Sequence, residues 1–319
     1  MEYAIEAEGL VKRFGSTLAL GGVDFAVRPG SVLGMLGPNG AGKTTAVRIL
    51  ATLLGADSGR ARIHGYDVAT EAADVRRTIG LTGQYASVDE ALTGRQNLVM
   101  IGQLLDLGAR SAKARASELL DWFGLSDAAD RPARTYSGGM RRRLDLATSL
   151  VGSPSVVFLD EPTTGLDPSK REDMWGIVRG LVREGATVLL TTQYLDEADS
   201  LADDIVVIDH GRVIAHDSPD GLKRVVGVQT LTVRPADPGQ LANTAQILEA
   251  ITGSPPSHED TRGVSVAVSG DDELKETVAR LAAAGIVVTE LSLSLPSLDE
   301  VFFTLTGHGS ENEDLKEAA

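Results

Sequence analysis

The loop Gly37-Pro38-Asn39-Gly40-Ala41-Gly42-Lys43-Thr44-Thr45 constrains this chain more than any other feature. Before it stands an apolar run, Val32-Leu33-Gly34-Met35-Leu36, of the kind a buried strand makes. After it, Ala46-Val47-Arg48-Ile49-Leu50 repeats at helical spacing. This is the G-x-x-x-x-G-K-[ST] pattern in its required strand–loop–helix context. Its glycines let the backbone curl until successive N–H groups point inward, which makes an anion nest at a helix N-terminus. Lys43 is expected to reach the terminal phosphates of a nucleoside triphosphate, and the Thr44 hydroxyl to complete a Mg²⁺ shell. A bare match to the pattern also describes a flexible loop. The two flanks are what favour ATP-type binding.

With 319 residues the chain has room for one large domain and a small one. A hydrophobic fraction of 42% suits a packed core, and the formal net charge of −15 speaks against a nucleic-acid partner, which would call for a basic patch. The absence of Cys excludes a disulfide scaffold and thiolate metal sites. The start, Met1-Glu2-Tyr3-Ala4-Ile5-Glu6, lacks the basic and apolar segments of a secretory signal. No apolar run approaches the ~18 residues of a membrane span. The expectation is a cytosolic chain, or one that touches a membrane only through a partner.

Residues 3–10, 18–27 and 32–36 read as strands of a β-rich lobe, with Gly21-Gly22 and Pro29-Gly30 as punctuation. Strand 79–82 runs into Gly83-Gln84, and residues 87–150 are largely helical. Strands at 156–159, 187–191 and 205–208 alternate with helices near 169–184 and 195–202, which implies parallel βαβ units. Asp209-His210-Gly211-Arg212 reads as a hairpin turn. Beyond residue 222 the character changes to a small α/β unit, with strands at 230–233, 264–268 and 287–293 and helices near 240–251 and 272–284. The expected domains are 1–222, with a helical subdomain at about 87–150, and 223–305. The acidic residues 306–319 are expected to be a disordered tail.

Two further segments narrow the class. Val156-Val157-Phe158-Leu159-Asp160-Glu161 is a buried-strand pattern ending in two carboxylates. Such a tip emerges where open α/β sheets bind ligands. Asp160 is expected to hold Mg²⁺ and Glu161 to act as general base toward water. Two solvated acids capping a strand are the plainer alternative. Tyr136-Ser137-Gly138-Gly139-Met140 leads into Arg141-Arg142-Arg143-Leu144, with Ser137 at an N-cap position and two glycines exposing N–H groups. That describes a second anion-binding helix start, or more blandly a turn followed by a solvated basic face.

Together these motifs resemble the ABC-type ATPases. Tyr136–Met140 is similar to their signature motif. The loop at 37–45, Gln84, Asp160-Glu161 and Gly165-Leu166-Asp167 follow the family's order and spacing over residues 2–222. The likeness is closer to the daunorubicin-resistance type of drug-efflux ATPase subunit. It is carried by residues 82–90, 136–145, 191–199 and 297–303. The resemblance implies an α/β P-loop ABC cassette, a mixed core sheet with β-rich lobe and helical subdomain, followed by a small α/β C-terminal domain.

It further implies that Phe14 stacks on adenine, where the family more often has Tyr. Gln84 would touch Mg²⁺ or its water. Ser137, Gly138 and Gly139 would close over the γ-phosphate of a partner protomer, and Asp167 would link the two sites. The implied assembly is an ATP-bound homodimer on the cytoplasmic face of the membrane, driving a separate transmembrane permease subunit. The C-terminal segment would stabilise or regulate assembly, or be a passive extension.

One position departs from the family. Gln193 stands where most members place a γ-phosphate-contacting His, and the five histidines (64, 210, 216, 258, 308) offer no replacement. A Gln amide can donate a hydrogen bond but cannot become cationic, so slow hydrolysis is expected. A nucleotide-gated switch with very slow turnover stands as an alternative function. A ribosome- or DNA-directed ABC protein is disfavoured by the acidic balance, the single cassette and the absence of Cys.

Overall fold

The computed structural model describes residues 3–83, 88–226, 229–257, 263–268, 270–295 and 297–306. The chain forms two compact units, 1–219 and 220–319.

In the first unit, β1 (Ile5–Phe14) and β2 (Thr17–Val27) pair antiparallel, with Ile5 opposite Val27 and Phe14 opposite Thr17. They join β4 (Ser58–Ile63) and β5 (Tyr66–Asp67) in a four-stranded sheet of order β2-β1-β4-β5. Residues 32–36, expected in this lobe, leave it. As β3 (Val32–Leu36) they enter a six-stranded sheet instead. All five are buried, and a strand with no polar position suits the middle of a sheet covered on both faces. The Gly21-Gly22 pair lies inside β2, where the pairing with β1 shifts register, and does not end the strand.

The core sheet adds β6 (Ile79–Thr82), β7 (Val156–Asp160), β8 (Thr187–Thr192), β9 (Asp204–Asp209) and β10 (Arg212–Asp217), in the order β10-β9-β3-β8-β7-β6. Strands β6, β7, β8, β3 and β9 are mutually parallel; the alternating pattern implied this for β7, β8 and β9. The pair β9–β10 is the expected hairpin. Side-chain alternation divides the core in two. Val156, Phe158, Leu189, Leu33 and Met35 pack with the β-lobe and α1 (Lys43–Leu50). Val157, Leu159, Val188 and Leu190 pack on the opposite side with helical residues such as Leu98, Leu119, Phe123 and Leu144.

Around the sheet lie α2 (Ala72–Thr78), α3 (Gly94–Leu104), α4 (Ala109–Trp122), α5 (Gly138–Ser149), α6 (Pro168–Arg183) and α7 (Leu195–Leu201). Thr93 caps α3 in a reciprocal capping box with Gln96. Among the described residues no helix is long and apolar enough to cross a membrane.

After α8 (Pro219–Val226), the second unit builds an antiparallel sheet of order β12-β11-β13 from β11 (Gln229–Pro235), β12 (Val264–Val268) and β13 (Val288–Ser294). With α9 (Leu241–Thr252) and α10 (Asp271–Ala283) it encloses its own core, including Leu231, Val233, Leu248, Val266 and Leu281. The α/β character agrees with the sequence. A further helix, α11 (Leu298–Thr306), covers residues for which no element was expected. The acidic tail expected to be disordered lies almost entirely outside the described residues.

Candidate functional site: a phosphate loop facing two carboxylates

Neighbouring strands β3, β8 and β7 end on one edge of the core sheet, and the candidate residues collect there. The loop after β3 folds tightly enough that only glycine fits at its critical positions. A Cβ on Gly37 would run into the Ile208 carbonyl. Gly42, the N-cap of α1, holds φ at 113°, and a Cβ there would meet the Ala19 carbonyl oxygen at 2.5 Å. The loop tip, Asn39-Gly40, is exposed while Ala41, Gly42 and Lys43 are buried.

Lys43 is only 4% exposed. Its Nζ donates to the Gly37 carbonyl at 2.6 Å and to the Pro38 carbonyl at 3.1 Å, inside the loop it belongs to. A buried ammonium needs such acceptors. Phosphate oxygens are stronger ones and would take their place.

Opposite the loop, one carboxylate oxygen gathers two hydroxyls. Asp160 Oδ1 accepts from Thr44 Oγ1 at 3.2 Å and from Thr191 Oγ1 at 2.6 Å. No cluster of three His, Cys, Asp or Glu side chains suited to a metal occurs among the described residues. Mg²⁺ does not need one, since it favours a hydroxyl, one or two carboxylates, phosphate and water. Thr44 and Asp160 offer that donor chemistry, so the residues fit the ion.

Glu161 follows at φ 51°, left-handed backbone for a non-glycine residue. Its N–H is held by both the carbonyl and the hydroxyl of Thr191, each at 3.1 Å, and its Oε2 accepts from Thr164 Oγ1 at 3.2 Å. Glu161 opens on a cleft of about 440 Å³ lined also by Gly138, Arg142, Thr164, Gly165 and Leu166. The start of α5 and the Gly165-Leu166 turn therefore border the same space as the carboxylate.

Ser137 caps α5, its Oγ accepting the Met140 N–H at 3.3 Å, and Ser137 and Gly138 are exposed. The adjacent Tyr136 is structural. It is 3% exposed, donates to the Ala128 carbonyl at 2.6 Å, and burial pushes its phenol upward. Asp167 caps α6 by accepting the Lys170 N–H at 3.0 Å and pairs with the Lys170 ammonium, which holds its carboxyl below the usual range. Phe14 is 51% exposed at the end of β1, with the Lys12 ammonium 5.8 Å from its ring centre. Gln193 is half-buried, and its Oε1 makes no hydrogen bond among the described residues. Gln84 lies outside the described residues.

Three buried or inward-turned polar side chains near this edge escape a reading of the sequence. Thr191 is one more residue of an apolar strand until the sheet places it beside Asp160. Arg142 reads as part of a solvated basic face, yet its side chain is 18% exposed and turns inward. Glu197 sits on α7 with 0% exposure and accepts from Trp175 Nε1 at 3.3 Å. Burial pushes its carboxyl upward, against the opposing hydrogen bond of Trp175.

Comparison with known proteins decides the class. The family model for ABC transporters matches residues 20–164. Daunorubicin resistance ATP-binding protein DrrA2 of Streptomyces coeruleorubidus is 53% identical over 319 residues, 99% of each chain. The chain belongs to the ABC transporter family. As an ABC ATPase it binds ATP and hydrolyses it in service of transport. Doxorubicin resistance ATP-binding protein DrrA of Mycobacterium tuberculosis (strain ATCC 25618 / H37Rv) is 45% identical, over 98% of this ABC ATPase and 96% of that protein. A nucleotide-free ATP-binding cassette from an ABC transporter superposes with a TM-score of 0.65 at 28% identity, covering 71% of this chain and 95% of that one. ATP-binding subunits of exporters in this family work with a membrane permease subunit.

Proposed function

We propose that this ABC ATPase powers export of a drug-like or hydrophobic compound through a separate membrane subunit, as a homodimer that closes on two ATP–Mg²⁺. The observation that carries this reading is the match to daunorubicin resistance ATP-binding proteins along 99% of both chains, C-terminal unit included. Peripheral attachment at the cytoplasmic face follows from the same partnership.

In this reading the N–H groups of residues 39–45 and the Lys43 ammonium bind the phosphate chain. Phe14 supplies an exposed π face for adenine. Thr44 and Asp160 would hold Mg²⁺, and the family resemblance gives Gln84 a contact to the ion or its water; the ion, when bound, neutralises charge on the terminal phosphates. Thr191 orients Asp160 from the opposite side. Glu161 accepts the proton of the attacking water. Gln193 donates a neutral hydrogen bond toward the γ-phosphate. The partner's Ser137, Gly138 and Gly139 complete that pocket, and Asp167 couples the two sites.

Steady-state phosphate release tests the reading. The Glu161→Gln variant should lose at least ~100-fold in kcat, in line with removal of a general base, and should run as an ATP-dependent dimer on size exclusion. Wild-type turnover in that variant would rule out the assigned base. Stimulation by anthracyclines after co-purification with the membrane subunit tests the export half. Gln193 favours a second reading, a nucleotide-gated switch. Steady turnover well above a Lys43→Ala background would exclude it.

A further inference from the structure

The basic run after Ser137 does not form a uniform solvated face. Arg141 pairs outward with Glu90 at 2.8 Å, and Arg143 donates to the Phe123 carbonyl at 3.1 Å. Arg142, between them, turns toward the catalytic edge of the sheet. Its Nε donates to the Pro162 carbonyl at 3.0 Å, and Nη1 to the Gly83 carbonyl at 3.1 Å. Its Nη2 donates to the Glu161 carbonyl at 2.8 Å and, more weakly, to the Asp160 carbonyl at 3.4 Å. One guanidinium thus collects main-chain oxygens from the end of β7, the turn beyond it and the exit of β6. The charged neighbour is Asp145, one turn along α5, at 3.9 Å and itself 1% exposed.

This arrangement bears on Glu161 through its backbone. Its left-handed conformation is costly relative to ordinary dihedrals for a residue with a Cβ. The following Pro162 disfavours the right-handed helical region as an escape. Such strain persists only where the surroundings over-determine it. Here they do so at both ends of the residue: Thr191 fixes the N–H and Arg142 fixes the C=O. Lysine could not replicate this. It has a compact ammonium and lacks the planar fork that reaches three segments at once.

We propose that Arg142 is a positioning residue. It holds the Glu161 peptide in its left-handed setting and ties the catalytic carboxylate to both the signature helix and the Gly83 exit. The inference rests on the reading of Glu161 as general base. Through this link a movement of α5 or of Gly83 changes where the Glu161 carboxylate points.

The test measures kcat and KM for ATP in the full chain carrying Arg142→Ala, Arg142→Lys and Glu161→Gln, and in the Arg142→Ala/Glu161→Gln double variant. Misplacing a reacting group by about 1 Å can cost ~100-fold. Arg142→Ala is therefore expected to lose about 10- to 100-fold in kcat with KM within threefold. Arg142→Lys should recover only part of that loss. In the Glu161→Gln background, Arg142→Ala should change kcat less than twofold, because the group it positions is already gone. An equal loss in both backgrounds overturns the proposal, as does wild-type kcat in Arg142→Ala beside an inactive Glu161→Gln. Wild-type turnover in Glu161→Gln sinks the base assignment instead. If Arg142→Ala no longer binds a fluorescent ATP analogue, Arg142→Lys is carried through the same two backgrounds and decides by the same criteria.

Discussion

Thr191 donates a 2.6 Å hydrogen bond to Asp160 and, through the same hydroxyl, receives the N–H of Glu161 at 3.1 Å. One side chain at the end of β8 therefore holds the Asp160 carboxylate and the Glu161 backbone N–H together. Thr191→Val keeps the shape and removes the hydroxyl. Each carboxylate-bearing residue retains a second partner, Thr44 for Asp160 and the Thr191 carbonyl for Glu161. The expected loss is about 1–2 kcal/mol of stability, read as a Tm lower by roughly 2–6 °C. The Mg²⁺ concentration needed for half-maximal ATPase activity should rise in the same variant. An unchanged Mg²⁺ titration would count against Thr191 as the residue that orients Asp160.

The Gly42→Ala substitution tests the cradle. At φ 113° and with the Ala19 carbonyl oxygen 2.5 Å from the new Cβ, the loop must open or the backbone must shift. About 2 kcal/mol or more should be lost, together with ATP binding measured by equilibrium fluorescence. Gly55→Ala is the control, since nothing lies within 4 Å of a Cβ there. It should stay within ~0.5 kcal/mol of wild type.

Gln193→His places an ionisable donor where the amide now stands. An imidazolium stabilises developing phosphoryl charge better than a neutral amide, so kcat should rise several-fold. The gain should fade as pH climbs past about 6.5, where imidazole loses its proton. A pH–rate profile of wild type and variant checks this. A gain that is the same at pH 6 and pH 8 would mean the charge is not responsible.

The buried Glu197 predicts a pH-dependent stability difference. Its folded-state carboxyl binds its proton more tightly than an unfolded one, because burial disfavours the charged form. As pH rises from the unfolded value, about 4.3, the unfolded chain releases this proton first, so wild-type stability falls until the raised folded value is passed. Glu197→Gln mimics the neutral acid and escapes the loss. The Tm of the variant minus that of wild type should be near zero at pH 4 and grow toward neutral pH. A flat difference across that range would show that Glu197 carries no such burden.

Much of the candidate site was legible in advance because its parts are contiguous. A loop that needs glycine at residues 37 and 42, a capped α5 behind Ser137, and an apolar strand ending in Asp160-Glu161 each declare themselves within a few residues. Local sterics and capping dictate those segments. The parallel alternation of β7, β8 and β9 with helices followed from the same period rules.

The rest depended on which distant segments become neighbours. Residues 32–36 read as part of the β-rich lobe; burial on both faces placed β3 between β8 and β9 instead. Thr191 has no local mark, because its role exists only when β8 lies beside β7. Arg142 is indistinguishable along the chain from Arg141 and Arg143, yet the three side chains end on Glu90, on the Glu161 peptide and on Phe123. Charge type and helical position were written in the amino acids. The direction each guanidinium takes was left to packing, which decides which oxygens come within hydrogen-bonding distance.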